Sequence, residues 1–126
     1  MLTDARGFSG FAVRDVDTAR SFYRDVLGLE VGDPGMGLLS LRLPQGPEVL
    51  VYPKPDHVAA TYTILNFSVG DIDATVSALA EHGVTFVHYE GFEQDDLGIA
   101  RGDGEHGPDI AWFTDPSGNI LSVLAE

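Results

Sequence analysis

His57, His82, His88 and His106 are the only imidazoles in this 126-residue chain, and no cysteine accompanies them. Disulfides, thiolate nucleophiles and thiolate metal sites are thereby excluded. His88 and Glu90 stand two apart, so on a strand they share one face, and His106 precedes Asp109 by three positions. Either pair offers acid–base chemistry or the start of a metal site. His82 stands where a helix should end and is expected to meet its last carbonyls. His57 follows a proline-rich stretch and is expected in solvent. No Gly-x-Ser-x-Gly nucleophile elbow occurs. The run Gly102-Asp103-Gly104-Glu105-His106-Gly107 is glycine-rich but lacks the lysine of a phosphate loop, and its acids repel phosphate.

The elements that must position these groups come as a repeat. Phe11-Ala12-Val13-Arg14-Asp15-Val16-Asp17 returns as Phe67-Ser68-Val69-Gly70-Asp71-Ile72-Asp73. Each copy closes an apolar-alternating segment and opens a stretch of helical periodicity. In the first copy Val16, Ala19, Phe22, Tyr23, Val26 and Leu27 form one apolar stripe, with Asp15 or Asp17 as N-cap and Gly28 as stop. In the second, Ile72, Val76, Leu79 and Ala80 do the same and Gly83 ends the run. The spacing predicts helices over 17–27 and 73–82. Strands are expected at 8–14, 29–31, 37–43 and 48–52, then at 61–69, 84–88, 97–101, 108–114 and 119–124. Turn chemistry at Asp33-Pro34-Gly35, Pro44-Gln45-Gly46-Pro47 and Asp115-Pro116-Ser117-Gly118-Asn119 separates them. Residues 90–107, rich in Gly and acid, are expected to include a mobile loop. One helix followed by three or four strands, twice over, is an α+β domain. It covers 1–126, with one module over about 1–53, a Pro53-Lys54-Pro55-Asp56 linker, and a second module over about 58–126.

Composition narrows the partners. Hydrophobic residues make up 44%, which supports a folded core rather than disorder. No stretch approaches the roughly 20 apolar residues that cross a bilayer, and a cytoplasmic address is the expectation. Twenty acidic residues against seven basic ones give a net charge of −13, a field that repels nucleic acid and favours cations.

The order βαβββ–βαβββ, with Asp15-Val16-Asp17 before a helix containing Phe22-Tyr23 and closing on Leu27-Gly28-Leu29, resembles the vicinal oxygen chelate superfamily. Its members include glyoxalase I, fosfomycin-resistance proteins, extradiol dioxygenases and bleomycin-resistance proteins. Ala111-Trp112-Phe113-Thr114-Asp115-Pro116-Ser117-Gly118-Asn119 is similar to the family's C-terminal hairpin. The resemblance covers nearly the whole chain. It implies two paired modules forming a curved, eight-stranded mixed sheet around a cleft, helices on the convex side, and a homodimer. It also implies where a metal would sit: a His seven residues before each helix-opening Asp, and a Glu three after the hairpin Asn. Those positions hold Phe8, Ile64 and Ser122, so neither metal nor cofactor is expected.

If Phe67 and Val69 pack beneath the second helix, Ile64, Asn66 and Ser68 face the other way. By the repeat Phe8, Gly10 and Ala12 do likewise, and Ser122 shares parity with Ile120 and Leu124. Tyr52, Tyr89, Phe92 and Trp112 are candidates for an aromatic wall or lid. The expected ligand-binding set is Phe8, Tyr52, Ile64, Asn66, Ser68, Trp112 and Ser122. The leading reading is a small-molecule-binding protein that sequesters an apolar or cationic compound. A second is a glyoxalase-type lyase, isomerase or dioxygenase, with a non-standard metal site or acid–base work by His88, Glu90 or Asp109. A third is a protein-interaction role in which the cleft is vestigial.

Overall fold

The computed structural model describes residues 1–102 and 107–126, which fall into two compact units, Met1–Val58 and Ala59–Glu126. In the first unit β1 (Gly10–Val13) leads into α1 (Val16–Ser21), a π-helical turn (Phe22–Val26), β2 (Glu30–Gly32), β3 (Leu39–Arg42) and β4 (Val49–Pro53). The sheet order is β1-β4-β3-β2, with β1 parallel to β4 and the other pairs antiparallel. In the second unit β5 (Thr63–Val69) precedes α2 (Ile72–Glu81), β6 (Ile110–Thr114) and β7 (Ile120–Ala125). Its order is β5-β7-β6, again with the opening strand parallel to the last.

Both helices start where an aspartate can hold their free N–H groups. Asp15 Oδ1 accepts from Asp17 N at 2.9 Å and Thr18 N at 3.3 Å; Asp71 Oδ1 accepts from Ala74 N at 3.0 Å. Asp15 is therefore the cap, while Asp17 pairs with Arg20 at 2.6 Å in the first turn. Gly28 and Gly83 take positive φ, 74° and 92°, at the helix ends, where a Cβ would be strained. The caps stand 56 residues apart but these glycines only 55, so the first helix carries one extra residue. The π-turn absorbs it, with Leu27 N donating to Phe22 O five residues back at 3.0 Å. Periodicity alone read this segment as a continuous α-helix.

Each unit buries one sheet face. Phe11, Val13, Leu39, Leu41, Val49 and Val51 pack with Ala19 and Tyr23, whose ring lies 5.9 Å from Phe11 and 5.2 Å from Phe22. In the second unit Ala111, Phe113, Leu121 and Val123 form the core with Ile72 and Val76 of α2. Burying each such side chain contributes roughly 1.5–3 kcal/mol.

The described residues hold seven strands in sheets of four and three, not one sheet of eight. The expected strands at 84–88 and 97–101 are reduced to single bridges, Phe86 to Phe113 and Ala100 to Ile110. The reason is a side chain that takes over the ladder's hydrogen bonds. Gln94 Oε1 accepts from Tyr89 N at 2.7 Å, and its Nε2 donates to Val87 O at 2.9 Å and Gly98 O at 2.8 Å. Backbone groups that would pair with a neighbouring strand are spent on Gln94 instead. Asp95 continues the job, accepting from Leu97 N at 3.0 Å and Ile99 N at 2.9 Å. Among the described residues no helix is long and apolar enough to cross a membrane.

Candidate functional site

Strand register places three residues in one row across the second sheet. Asn66 on β5 pairs with Ser122 on β7, and Ser122 pairs with Trp112 on β6. The next row holds Ser68, Leu124 and Ile110. Phe67, Val123, Ala111 and Phe113, of opposite parity, face the core, so this row lies on the face turned away from it. Ser122 is fully buried and its hydroxyl donates to Asn66 Oδ1 at 2.5 Å. Asn66 and Ser68 are exposed and Trp112 is half-buried. Among the described residues the Asn66 carboxamide thus keeps both Nδ2 hydrogens free, about two strand spacings, or roughly 10 Å, from Trp112. Ile64 lies on the same strand, half-buried, beside an irregularity in the ladder.

At Trp112 the face ends in a cluster of three rings. Tyr89 and Phe92 meet Trp112 edge to face at 5.5 and 5.4 Å, and each other at 6.4 Å. Beside them a cavity of about 290 Å³ is lined by Phe92, Glu93, Arg101, Pro108, Ile110 and Trp112, among others. Phe8 and Tyr52 belong to the first unit. Phe8 precedes β1, is 55% exposed, and has the Arg6 guanidinium 4.9 Å above its ring; Tyr52 sits on β4 opposite Ala12.

The titratable candidates separate. His82 Nδ1 lies 2.8 Å from Ala78 O at the end of α2, capping the helix as its position implied. His57 is buried rather than solvated: in a turn its backbone N donates to Lys54 O at 2.9 Å, and its Nε2 has no hydrogen-bond partner among the described residues. His88 and Glu90 are exposed and share no strand. Asp109 accepts from Gly102 N at 2.8 Å and from Arg101, so it is committed to structure; His106 lies outside the described residues.

Sequence reasoning passed over Arg101, although it is the only Lys or Arg after Lys54 in a strongly acidic stretch. It meets Asp73 at 2.7 Å, Asp95 at 2.7 Å and Asp109 at 3.4 Å. The guanidinium holds the Asp73 carboxyl below the usual carboxylate range, and its own pKa is raised in return. Partial burial opposes ionisation of Asp95, but hydrogen bonds from Ile99 N and Arg101 outweigh it and the pKa is lowered. A carboxyl depressed in the folded state stabilises it above the unfolded value of 3.8, and that contribution is lost as pH falls through the folded value. Arg101→Gln should therefore raise the titration midpoints of Asp73 and Asp95 in carboxyl NMR. It should also make stability less sensitive to acidification below 3.8. Unchanged midpoints would show that the ion pairs do not form in solution. The pairs are exposed, so the effect on stability at neutral pH is small.

The resemblance put metal ligands at Phe8, Ile64 and Ser122. A phenyl ring and a butyl chain offer no donor atom, and the Ser122 hydroxyl already donates to Asn66. Among the described residues no group of three or more His, Asp or Glu is arranged to hold a metal ion. The residues present do not fit the divalent ion of the metal-dependent members.

Two similar strand–helix–sheet units, the second with a polar and aromatic row on one strand face, make this an α+β protein. A family model for the Glyoxalase/Bleomycin resistance protein/Dioxygenase superfamily matches residues 8–123, and the chain belongs to that superfamily. Among solved structures it is similar to a superfamily member from Sphaerobacter thermophilus DSM 20745, with 24% identity, all of both chains covered and a TM-score of 0.69. It is also similar to TnmS3, an antibiotic binding protein from Streptomyces sp. CB03234, with 20% identity, 98% of each chain covered and a TM-score of 0.66. A glyoxalase/dioxygenase from Nostoc punctiforme is 16% identical over 99% of this chain and 92% of its own, with a TM-score of 0.67. No curated protein matches.

Proposed function

We propose that this protein binds a small, partly apolar organic molecule on the open face of the second sheet, without a metal. The observation that carries the reading is the row Asn66, Ser122, Trp112. Buried Ser122 fixes the Asn66 carboxamide through its oxygen, which leaves the two N–H donors of this exposed side chain without a partner among the described residues. A ligand carbonyl or ether takes those donors and the Ser68 hydroxyl, while its apolar part lies on Trp112. Few polar groups beside an aromatic wall is the usual build of a small-molecule site. The antibiotic binding by TnmS3 is consistent with this use of the fold. Phe8, Ile64 and Ser122, at the positions expected to hold metal ligands, point to binding rather than metal-assisted chemistry.

A thermal-shift screen against antibiotics and metabolites tests the proposal, because a ligand specific for the native state at 100 times its Kd adds about 2.7 kcal/mol of stability. Hits should lose roughly tenfold in affinity in Asn66→Asp, which keeps the acceptor for Ser122 and removes the two donors. Retained affinity in that variant would remove Asn66 from the site. Stoichiometric metal in protein purified after chelation and dialysis, with an activity that depends on it, would overturn the metal-free reading.

A further inference from the structure

The charge of this protein is divided unevenly. Over residues 1–58 eight acids face six basic residues; over 59–126 twelve acids face Arg101 alone. Nearly the whole net charge of −13 therefore belongs to the unit that holds the aromatic cluster and its cavity. Asymmetry of this kind sets the sign of the ligand a unit attracts.

Among the described residues the one cation on the cavity wall is not available to a ligand. Both terminal nitrogens of Arg101 are occupied: Nη1 by Asp73 and Asp109, Nη2 by Asp73 and Asp95. Three carboxylates against one guanidinium leave a negative surplus, so an anionic ligand finds no free positive partner there. Glu93 adds to the surplus. It lines the same cavity, is exposed, and makes no hydrogen bond or ion pair among the described residues. Phe92 and Trp112 complete the wall, with ring centres 5.4 Å apart at an interplanar angle of 61°. Tilted ring walls and a lone carboxylate are the features that recognise an organic ammonium, through the negative ring faces and the countercharge.

We propose that the cavity of about 290 Å³ at the edge of β6 takes the cationic amine or quaternary ammonium group of a ligand, held by Phe92, Trp112 and Glu93. This rests on the small-molecule reading above and adds the charge of the ligand to it. Asn66 and Ser68 would meet a neutral polar part further across the sheet.

Trp112 is the only tryptophan in the chain, so its fluorescence reports this cavity directly. Benzyltrimethylammonium, titrated into the full chain, should change that fluorescence saturably. It should bind about tenfold more tightly than benzyl alcohol, and phenylacetate should bind more weakly still. Higher salt should weaken the ammonium alone. Glu93→Gln should lower its affinity several-fold with an unchanged melting temperature. Glu81→Gln, which removes a carboxylate that does not line the cavity, should leave affinity as it was. Equal affinity for the ammonium and the alcohol, or no loss in Glu93→Gln, would overturn the cation assignment while leaving the neutral platform standing. Absence of binding by the ammonium also overturns it; if the metabolite and antibiotic screen is empty as well, the small-molecule reading falls with it.

Discussion

Phe113→Ala should cost about 3–5 kcal/mol of folding stability, seen as a lower urea midpoint at nearly unchanged slope. Phe113 is 1% exposed in the middle of β6. It pairs with Leu121 across the ladder and packs its ring 5.6 Å from Phe86. That contact is also where the segment after α2 touches the sheet, through the single bridge between Phe86 and Phe113. Truncation leaves a void in a small core and loosens the bridge that ties Phe86 to the sheet. Phe8→Ala, at a ring 55% exposed, is the matched control and should stay within about 0.5 kcal/mol of the parent. A loss below about 1 kcal/mol for Phe113→Ala would mean that this core is not packed as described.

Asp115→Ala should cost about 3 kcal/mol, because it removes one carboxylate that accepts three hydrogen bonds from buried residues. Asp115 is 4% exposed at the β6–β7 hairpin. Its Oδ1 accepts from Ser117 N at 2.9 Å and Asn119 N at 3.0 Å, and its Oδ2 accepts from Asn119 Nδ2 at 3.0 Å. The turn is closed further by Gly118 N donating to Asp115 O at 2.9 Å. The hairpin sets the register of Trp112 opposite Ser122, so the loss would reach the proposed binding face. Asp115→Asn keeps one acceptor oxygen but turns an NH₂ toward another donor, and should fall between the parent and the alanine variant. Hydrogen exchange at the Ser117 and Asn119 amides should accelerate in the same order. Equal protection in all three proteins would defeat this account.

Helix starts were legible because capping is local. Asp15 and Asp71 precede the apolar stripes by one residue and satisfy N–H groups two or three residues on, with no help from elsewhere in the chain. Side-chain parity on β5 and β7 was legible for a similar reason, since alternation follows from the pleat once the buried partners are known. Spacing also carried the superfamily resemblance. Hidden from periodicity were the π-turn, which depends on one extra residue between cap and glycine, and the fate of 84–101. Residues 84–88 and 97–101 alternate like strands, but Gln94 competes for their backbone groups, and such competition cannot be scored from pattern. His57 was misread because a turn folds it back into a buried position, where composition suggested solvent.

The candidate site divides along the same line. Sequence named Asn66, Ser68, Trp112 and Ser122, and the absence of donors at Phe8 and Ile64, since residue type and parity are properties of the chain itself. Tertiary structure alone aligned Asn66, Ser122 and Trp112 in one row, gathered Tyr89 and Phe92 onto Trp112, and cancelled Arg101 with Asp73, Asp95 and Asp109. Strand register and long-range ion pairs join residues tens of positions apart. Their energy depends on angstrom distances after folding, which local propensity does not encode.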